Sequence, residues 1–227
     1  MYTERRSVYP GVVVWQKTAA GGEAAILPDG CMDLIWMNGD VVVAGPDSRP
    51  YLTRSRDGDR YVGLRCSPGT LPDLLGTPAE ELTNLRVPLA EVLTDRATTE
   101  FLGRIADDAD PGRALEEFAR SRRLLGPPPD GRIPAIARLL EQQTSVREVA
   151  DRIGVGERQL HRLCRRQFGY GPKMLGRILR LQSALGLAGS SIPAAQAAGM
   201  AGFADQAHLI REAHELTGRT FGQLVTV

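Results

Sequence analysis

GERQLHRLCRR, residues 156–166, places Arg158, His161, Arg162 and Arg165 at offsets of three, four and seven. Wound as an α-helix, those offsets put the four side chains on one face. Leu160, Leu163 and Cys164 fall on the opposite face, continued by Phe168, so that side can be buried. A short helix with a cationic, hydrogen-bonding face and an apolar back suits the major groove of duplex DNA. There, Arg pairs bidentately with a guanine edge and flanking Arg reach phosphates. Taken alone, the stretch also describes an ordinary amphipathic surface helix. Its surroundings separate the two readings.

Immediately upstream, SVREVADRIGV reads as a second short helix. Ser145 and Glu148 have capping-box spacing, and Val146, Val149, Ala150 and Ile153 form the apolar stripe. Gly154 is placed to end that helix in a left-handed conformation, and Val155-Gly156 leads into the next one. Helix, short turn containing Gly, helix is helix-turn-helix geometry with the second helix as reader. Gly156 stands where a Ser or Thr would cap more strongly. The pattern then recurs. Ala150 and Gly154 are echoed by Ala198 and Gly202, an offset of 48; Leu160, Arg162, Gly169 and Leu175 are echoed by Leu209, Arg211, Gly218 and Leu224, an offset of 49. Two copies in about a hundred residues are far more specific than one. Between them, PKMLGRILRLQSALGLA opens with Pro172 at a helix N1 position and carries Leu175, Ile178, Leu179, Gln182 and Leu185 at helical spacing. This helix is expected to hold the two units apart at a fixed distance.

With these residues in place, the region 132–227 resembles the AraC/XylS family of bacterial transcription regulators. GVGERQLHRLCRRQFGYGPKMLGRILRLQ is similar to the family's first unit and linker helix, and GFADQAHLIREAHELTG to its second. The resemblance implies that Arg158, His161 and Arg162 read bases in the first unit, with Gln206, Ala207 and Arg211 in the matching places of the second. Arg165 and Lys173 complete the expected DNA-binding set. Phe221 stands where the family has Pro, and Ala197 replaces a larger apolar residue; both departures imply a second unit that docks less firmly or reads fewer bases.

A net charge of +1 over 227 residues conceals a division. Residues 132–227 hold 13 Lys and Arg against 7 Asp and Glu, whereas residues 1–131 hold 15 against 20. The basic half is the half with the repeated motif, as phosphate neutralisation requires. No stretch approaches a membrane-spanning run, and the opening MYTERRSVYP lacks the apolar core of a signal peptide. Cys31, Cys66 and Cys164 are odd in number, far apart and without zinc spacing, so reduced thiols in a cytoplasmic, nucleoid-associated protein are expected.

The front half begins with strand-like pieces. Val12-Val13-Val14-Trp15 and Ala24-Ala25-Ile26-Leu27 are short apolar runs, and Pro28-Asp29-Gly30 is a turn. CMDLIWM then alternates toward Asn38-Gly39 and DVVVAG; Asn-Gly between apolar segments is the strongest local hairpin signal. In RYVGLRC, Val62, Leu64 and Cys66 share a face. About five strands with Gly/Pro-rich connections point to a small β-barrel or cupin-like half-barrel. From residue 70 the pattern turns helical: Leu71 to Leu75, a helix opened by Thr77-Pro78-Ala79-Glu80-Glu81, then Pro88 to Leu93, Thr98 to Ala106 and Arg113 to Leu125. Gly126-Pro127-Pro128-Pro129-Asp130-Gly131 reads as a stiff linker. The expected organisation is therefore α+β: a regulatory or dimerisation domain over 1–126, and an all-α DNA-binding domain over 132–227. PDGCMDLIW and GPDSRP further resemble a front domain found on a high-GC branch of the same family.

Catalysis in the front half is disfavoured by composition. His161, His208 and His214 are the only histidines and all lie downstream, so a histidine-built cupin metal site is excluded there. His208 and His214, six apart, are assigned to packing. Cys31 sits near Asp29 and Asp33, which would raise its pKa, so a structural thiol is preferred to a nucleophile. Asp29 and Asp33 also have the chemistry of an acid/base pair, although acids at turns and strand edges are common. Trp15, Trp36 and Cys31 are the candidates to line a small-molecule pocket, against the plainer reading as core. The sequence thus points to a non-enzymatic regulator that binds duplex DNA without a cofactor, with a small-molecule effector or a homodimer as further expected partners. The alternative is a DNA-linked enzyme or group acceptor acting through Cys31.

Overall fold

The computed structural model describes residues 1–126 and 130–225, so the Pro127–Pro129 part of the expected linker lies outside the described residues. Six strands, β1 (Tyr2–Arg6), β2 (Val12–Ile26), β3 (Met32–Met37), β4 (Asp40–Ala44), β5 (Tyr51–Cys66) and β6 (Arg86–Pro88), form one antiparallel sheet. Its order is β1-β2-β5-β3-β4-β6. The two ends do not pair, so the sheet is an open half-barrel and not a closed one. Asn38 and Gly39 both have positive φ, 52° and 88°, and join β3 to β4 through the Met37–Asp40 pair. This is the primed turn that Asn-Gly favours.

Alternation fixes which face is buried. Val12 and Val14, Met32 and Leu34, Val41 and Val43, and Val62, Leu64 and Cys66 all point to one side and are buried there. That side is covered by α1 (Leu71–Leu75), α2 (Ala79–Leu82), α3 (Leu89–Val92), α4 (Arg96–Ile105) and α5 (Pro111–Leu125). Asp95 and Asp110 cap α4 and α5 by accepting from Thr98 N and Arg113 N. The other face carries Trp15, Asp33 and Arg65.

Several expected boundaries change. The two runs 12–15 and 24–27 belong to one strand, β2, continuous through Lys17 to Glu23 and paired to β5 along most of its length, with one irregularity between Thr18 and Ala20. Leu27 lies beyond it. The edges β1 and β6 were not anticipated. β1 is exposed at every residue, and β6 is three residues long, so neither shows an alternation to recognise. The helix expected to open at Thr77 is a single turn, with Pro78 at its N-cap and no side-chain cap.

The second half is all helical: α6 (Arg132–Glu141), α7 (Val146–Ile153), α8 (Glu157–Phe168), α9 (Pro172–Gly189), α10 (Ala194–Met200), α11 (Gln206–Thr217) and α12 (Phe221–Val225). It has its own core, in which Leu160, Cys164, Phe168, Leu175, Ile178, Leu209 and Phe221 are buried. The sequence repeat is a structural one. Ala150 and Ala198 are both buried, Leu160 and Leu209 are both fully buried, and Gly154 and Gly202 have φ of 74° and 81°. That left-handed turn is where glycine avoids the Cβ penalty. Linker helix α9 departs from the single stripe expected. Leu175, Ile178, Leu181 and Ala184 are buried in the helical core, and Leu175, Leu179 and Gln182 also reach the front half.

Candidate nucleic-acid interface

Each recognition helix is fixed by its termini and its back. Ser145 caps α7 by accepting from Glu148 N at 3.2 Å, while the Glu148 carboxylate pairs with Arg152 instead of returning to the cap. Gly156 starts α8 without a side-chain cap, whereas Asp205 caps α11 by accepting from His208 N at 2.7 Å. Arg177 on α9 pairs with Glu212 at 2.8 Å and Glu215 at 2.6 Å, tying α11 to the linker helix. Arg180 lies over the Phe203 ring, 5.4 Å from its centroid, and steadies the second turn. His208 packs edge-on against Phe203 at 5.3 Å.

What these contacts present outward is a largely basic face. Arg158, His161, Arg162, Arg165 and Arg166 on α8 are exposed, as are Gln206, Ala207 and Arg211 on α11 and Lys173 at the start of α9. Among the described residues, the side chains of Arg158, Arg162, Arg166, Lys173 and Arg211 form neither an ion pair nor a hydrogen bond. A groove beside α8 is lined by Arg158, His161, Lys173, Glu157 and the Gly171-Pro172 turn. The His161 ring lies so close to Gly171 that a β-carbon there would stand 2.7 Å from Nε2. The structure therefore brings Arg158, His161 and Lys173 around one groove. Ile210, beside Arg211, is 40% exposed, so α11 offers a more apolar outer surface than α8.

Arg165 differs from its neighbours. Its Nη2 is 2.6 Å from Glu80 Oε2, so α2 of the front half holds it. The same end of α8 is gripped again: Gln167 Nε2 donates to Asp73 Oδ1 at 3.0 Å, and Thr83 Oγ1 donates to Gly169 O at 3.1 Å. Gln182 Nε2 donates to Pro28 O at 2.7 Å. Gly30 faces Leu179, whose Cδ2 would be 3.3 Å from a β-carbon at that position. No local pattern points to these contacts, because the partners are 85 residues or more apart and individually unremarkable.

The front-half candidates do not converge as expected. Trp15 is in register with Gly63 and Ile35, so it lies on the face opposite Trp36, which packs against the front half's own core. A pocket using both rings is ruled out by that parity; one pocket can hold Trp15 or Trp36, not both. Trp15 Nε1 donates to Asp33 Oδ1 at 2.7 Å. Asp29 and Asp33 flank Arg65 at 3.7 and 3.5 Å, and burial pushes the Asp33 carboxyl up to about 6. Burial, reinforced by Asp29 and Asp33, pushes the Cys31 thiol well above its ordinary value, which keeps it protonated at neutral pH. Among the described residues no cluster of metal-ligating side chains occurs, and no helix is long and apolar enough to cross a membrane.

A family model described as a helix-turn-helix domain matches residues 149–226, and one described as a domain of unknown function (DUF6597) matches residues 11–88. No curated protein matches the chain. Among solved structures, an apo variant of ToxT from Vibrio cholerae strain SCE256 matches with a TM-score of 0.54 at 12% identity, over 97% of this chain and 99% of that one. Another ToxT structure from Vibrio cholerae matches with a TM-score of 0.52 at 9% identity, over 100% and 98% of the two chains. Unsaturated fatty acid bound wild-type ToxT matches with a TM-score of 0.51 at 12% identity, over 97% of each chain. At such identities the likeness is one of fold. It spans both halves.

Proposed function

We propose that this chain is a transcription regulator of the AraC/XylS type that reads two successive major-groove segments of DNA with α8 and α11, under the control of a small molecule held by residues 1–126. The observation that carries the reading is the set of exposed cations without protein partners on the recognition helices and the start of α9. Elsewhere in the same half, Arg132, Arg152 and Arg177 are paired, whereas Arg138, Arg147 and Arg219 are exposed and form no ion pair among the described residues. Arg158, His161, Arg162, Gln206 and Arg211 are assigned to base edges, and Lys173 and Arg166 to phosphates. Residues 132–227 form the DNA-binding unit in this reading, and the protein works in the cytoplasm with its DNA. ToxT, whose fold this chain shares, is seen with an unsaturated fatty acid bound, and that supports a small-molecule effector here. A half-buried Cys31 whose thiol is held protonated speaks against the group-acceptor alternative, and no enzymatic role is assigned.

Selecting bound duplexes from a random pool, then titrating the intact protein against the selected site at several salt concentrations, tests the reading. With Lys173 and Arg166 assigned to phosphates, the slope of log K against log salt should be roughly −2 or steeper. Salt-independent binding, or none, overturns it.

Arg165 gives a second expected result. In this structure Glu80 and a DNA phosphate would compete for the same guanidinium. Glu80→Gln should tighten DNA binding a few-fold and steepen the salt slope by about one counterion. In an Arg165→Ala background the Glu80 substitution should have no effect. An unchanged slope for Glu80→Gln would mean that Arg165 stays off the DNA.

A further inference from the structure

We propose that the groove between the start of β2 and the end of β5 is a binding site for a small organic carboxylate. The proposal rests on the regulator reading above and gives its effector a chemistry. Arg6, Val13, Arg65 and Asp33 are directly opposite one another across β1, β2, β5 and β3, and so stand in one row on one face of the sheet. Neighbouring strands are about 4.8 Å apart, which sets Arg6 and Arg65 roughly 10 Å apart at the backbone, with only Val13 between them. Both side chains are long enough to converge on one anion above that valine.

Neither guanidinium is satisfied by the protein. Arg65 makes two long ionic contacts, both through Nε, 3.5 Å to Asp33 and 3.7 Å to Asp29, and that Nε is buried without a hydrogen-bond partner. Asp33 is already engaged, because its Oδ1 accepts from Trp15 Nε1. Arg6 is exposed and has no partner among the described residues. Arg86, at the far end of the same row, shows what a satisfied arginine looks like in this sheet. It donates to Asp47 at 2.6 and 3.1 Å and lies 4.0 Å from the Tyr51 ring centroid. A guanidinium carries five donors in a planar fork that matches a carboxylate, so the open pair in the row is built for one.

The groove has a volume of about 470 Å³, and neither Asp29 nor Asp33 lines it. Ser67 adds a hydroxyl, whereas Val13, Pro68 and the Cys31 side chain supply an apolar wall. An inorganic anion would leave that wall bare, and an uncharged apolar molecule would leave both arginines unanswered. An organic carboxylate uses both. Cys31 also connects the groove to the second half. It ends the loop in which Pro28 accepts from Gln182 and Gly30 packs on Leu179, so an occupant touching Cys31 is one loop from linker helix α9.

The test uses the intact protein with benzoate and octanoate, their uncharged counterparts benzyl alcohol and 1-octanol, and inorganic phosphate. Calorimetric titration and thermal unfolding should show saturable binding and a raised Tm for a carboxylate, and neither for the alcohols. Arg6→Gln should weaken that binding by about tenfold or more, the share of one charge-assisted pair. Because Arg6 is exposed and unpartnered, this variant should fold as the parent does; Arg65→Lys, which keeps the charge but loses the fork, should weaken binding as well. Three results overturn the proposal: no carboxylate binds, binding is unchanged in Arg6→Gln, or phosphate binds as well as the carboxylates. DNA affinity measured on the same ligand-free samples keeps the two readings apart. Intact DNA binding without carboxylate binding removes this site alone, whereas absent DNA binding removes the regulator reading.

Discussion

Replacing Arg162 with alanine is expected to weaken binding to the cognate duplex by about 1–3 kcal/mol and to relax the preference at one base position. Arg162 follows the fully buried Leu160 by two positions, so it points away from the core that holds α8 in place. Its guanidinium has no protein partner, and nothing in the fold depends on it; the stability change should stay within about 0.5 kcal/mol. A loss of affinity is then a loss of contact with DNA. The helix cannot supply a substitute, because Arg158 and Arg166, one turn away on either side, would already hold their own contacts. Arg211→Ala in the second unit should cost less specificity. Its neighbours Ala207 and Ile210 are exposed and offer apolar contact only, so α11 has fewer polar readers to lose. The measurement is a binding series for each variant against the cognate duplex and its single-base substitutions. A phosphate contact would instead weaken all sequences alike and flatten the salt slope. If Arg162→Ala leaves the base preference intact, α8 presents a different face to the groove.

The second half of the molecule was legible in the sequence because its signals are local and occur twice. The Gly154 turn and the buried Leu160 find counterparts at Gly202 and Leu209, whereas the Ser145 cap does not recur, since α10 starts at Pro193 without a side-chain cap. The front half was legible only where one face is buried. In β3, β4 and the end of β5 the alternation is strong, whereas the outer part of β2 is exposed on both faces and carries no period to read. Which side Trp15 takes relative to Trp36 depends on the register of two strand pairings, and shifting either by one residue reverses the answer. A single sequence holds no such register. Arg165 shows the same limit at the candidate site. Its offset from Arg158 puts it on the reading face, and only the fold brings Glu80 to it. Lys173 gained by the same route, since the Gly171-Pro172 turn carries it to the groove of Arg158 and His161.

The other large effect is expected from Gly63→Val, where strand propensity and packing give opposite answers. Gly63 lies inside β5, and valine is the better strand former by the usual scale. Its backbone needs no glycine, since its φ is not among the positive ones. The space does. Trp15, directly opposite on β2, lays its indole across Gly63, and a β-carbon there would stand 2.1 Å from Cε2, 2.3 Å from Cζ2 and 2.4 Å from Nε1. The ring has to leave. When it does, Asp33 loses the 2.7 Å hydrogen bond from Nε1 and remains in a buried place, with only long contacts to Arg65. Overpacking and the loss of a hydrogen bond to a buried carboxylate together should cost about 3–5 kcal/mol. Equilibrium denaturation followed by tryptophan fluorescence reads the loss directly, because Trp15 and Trp36 are the only tryptophans and both lie in the front half. Trp15→Ala vacates the space, so the cost of Gly63→Val should shrink by 1 kcal/mol or more in that background, a coupling of the size found between touching residues, about 0.5–3 kcal/mol. A Gly63→Val protein within about 1 kcal/mol of its parent, or a cost indifferent to Trp15, would show that the indole does not lie over β5.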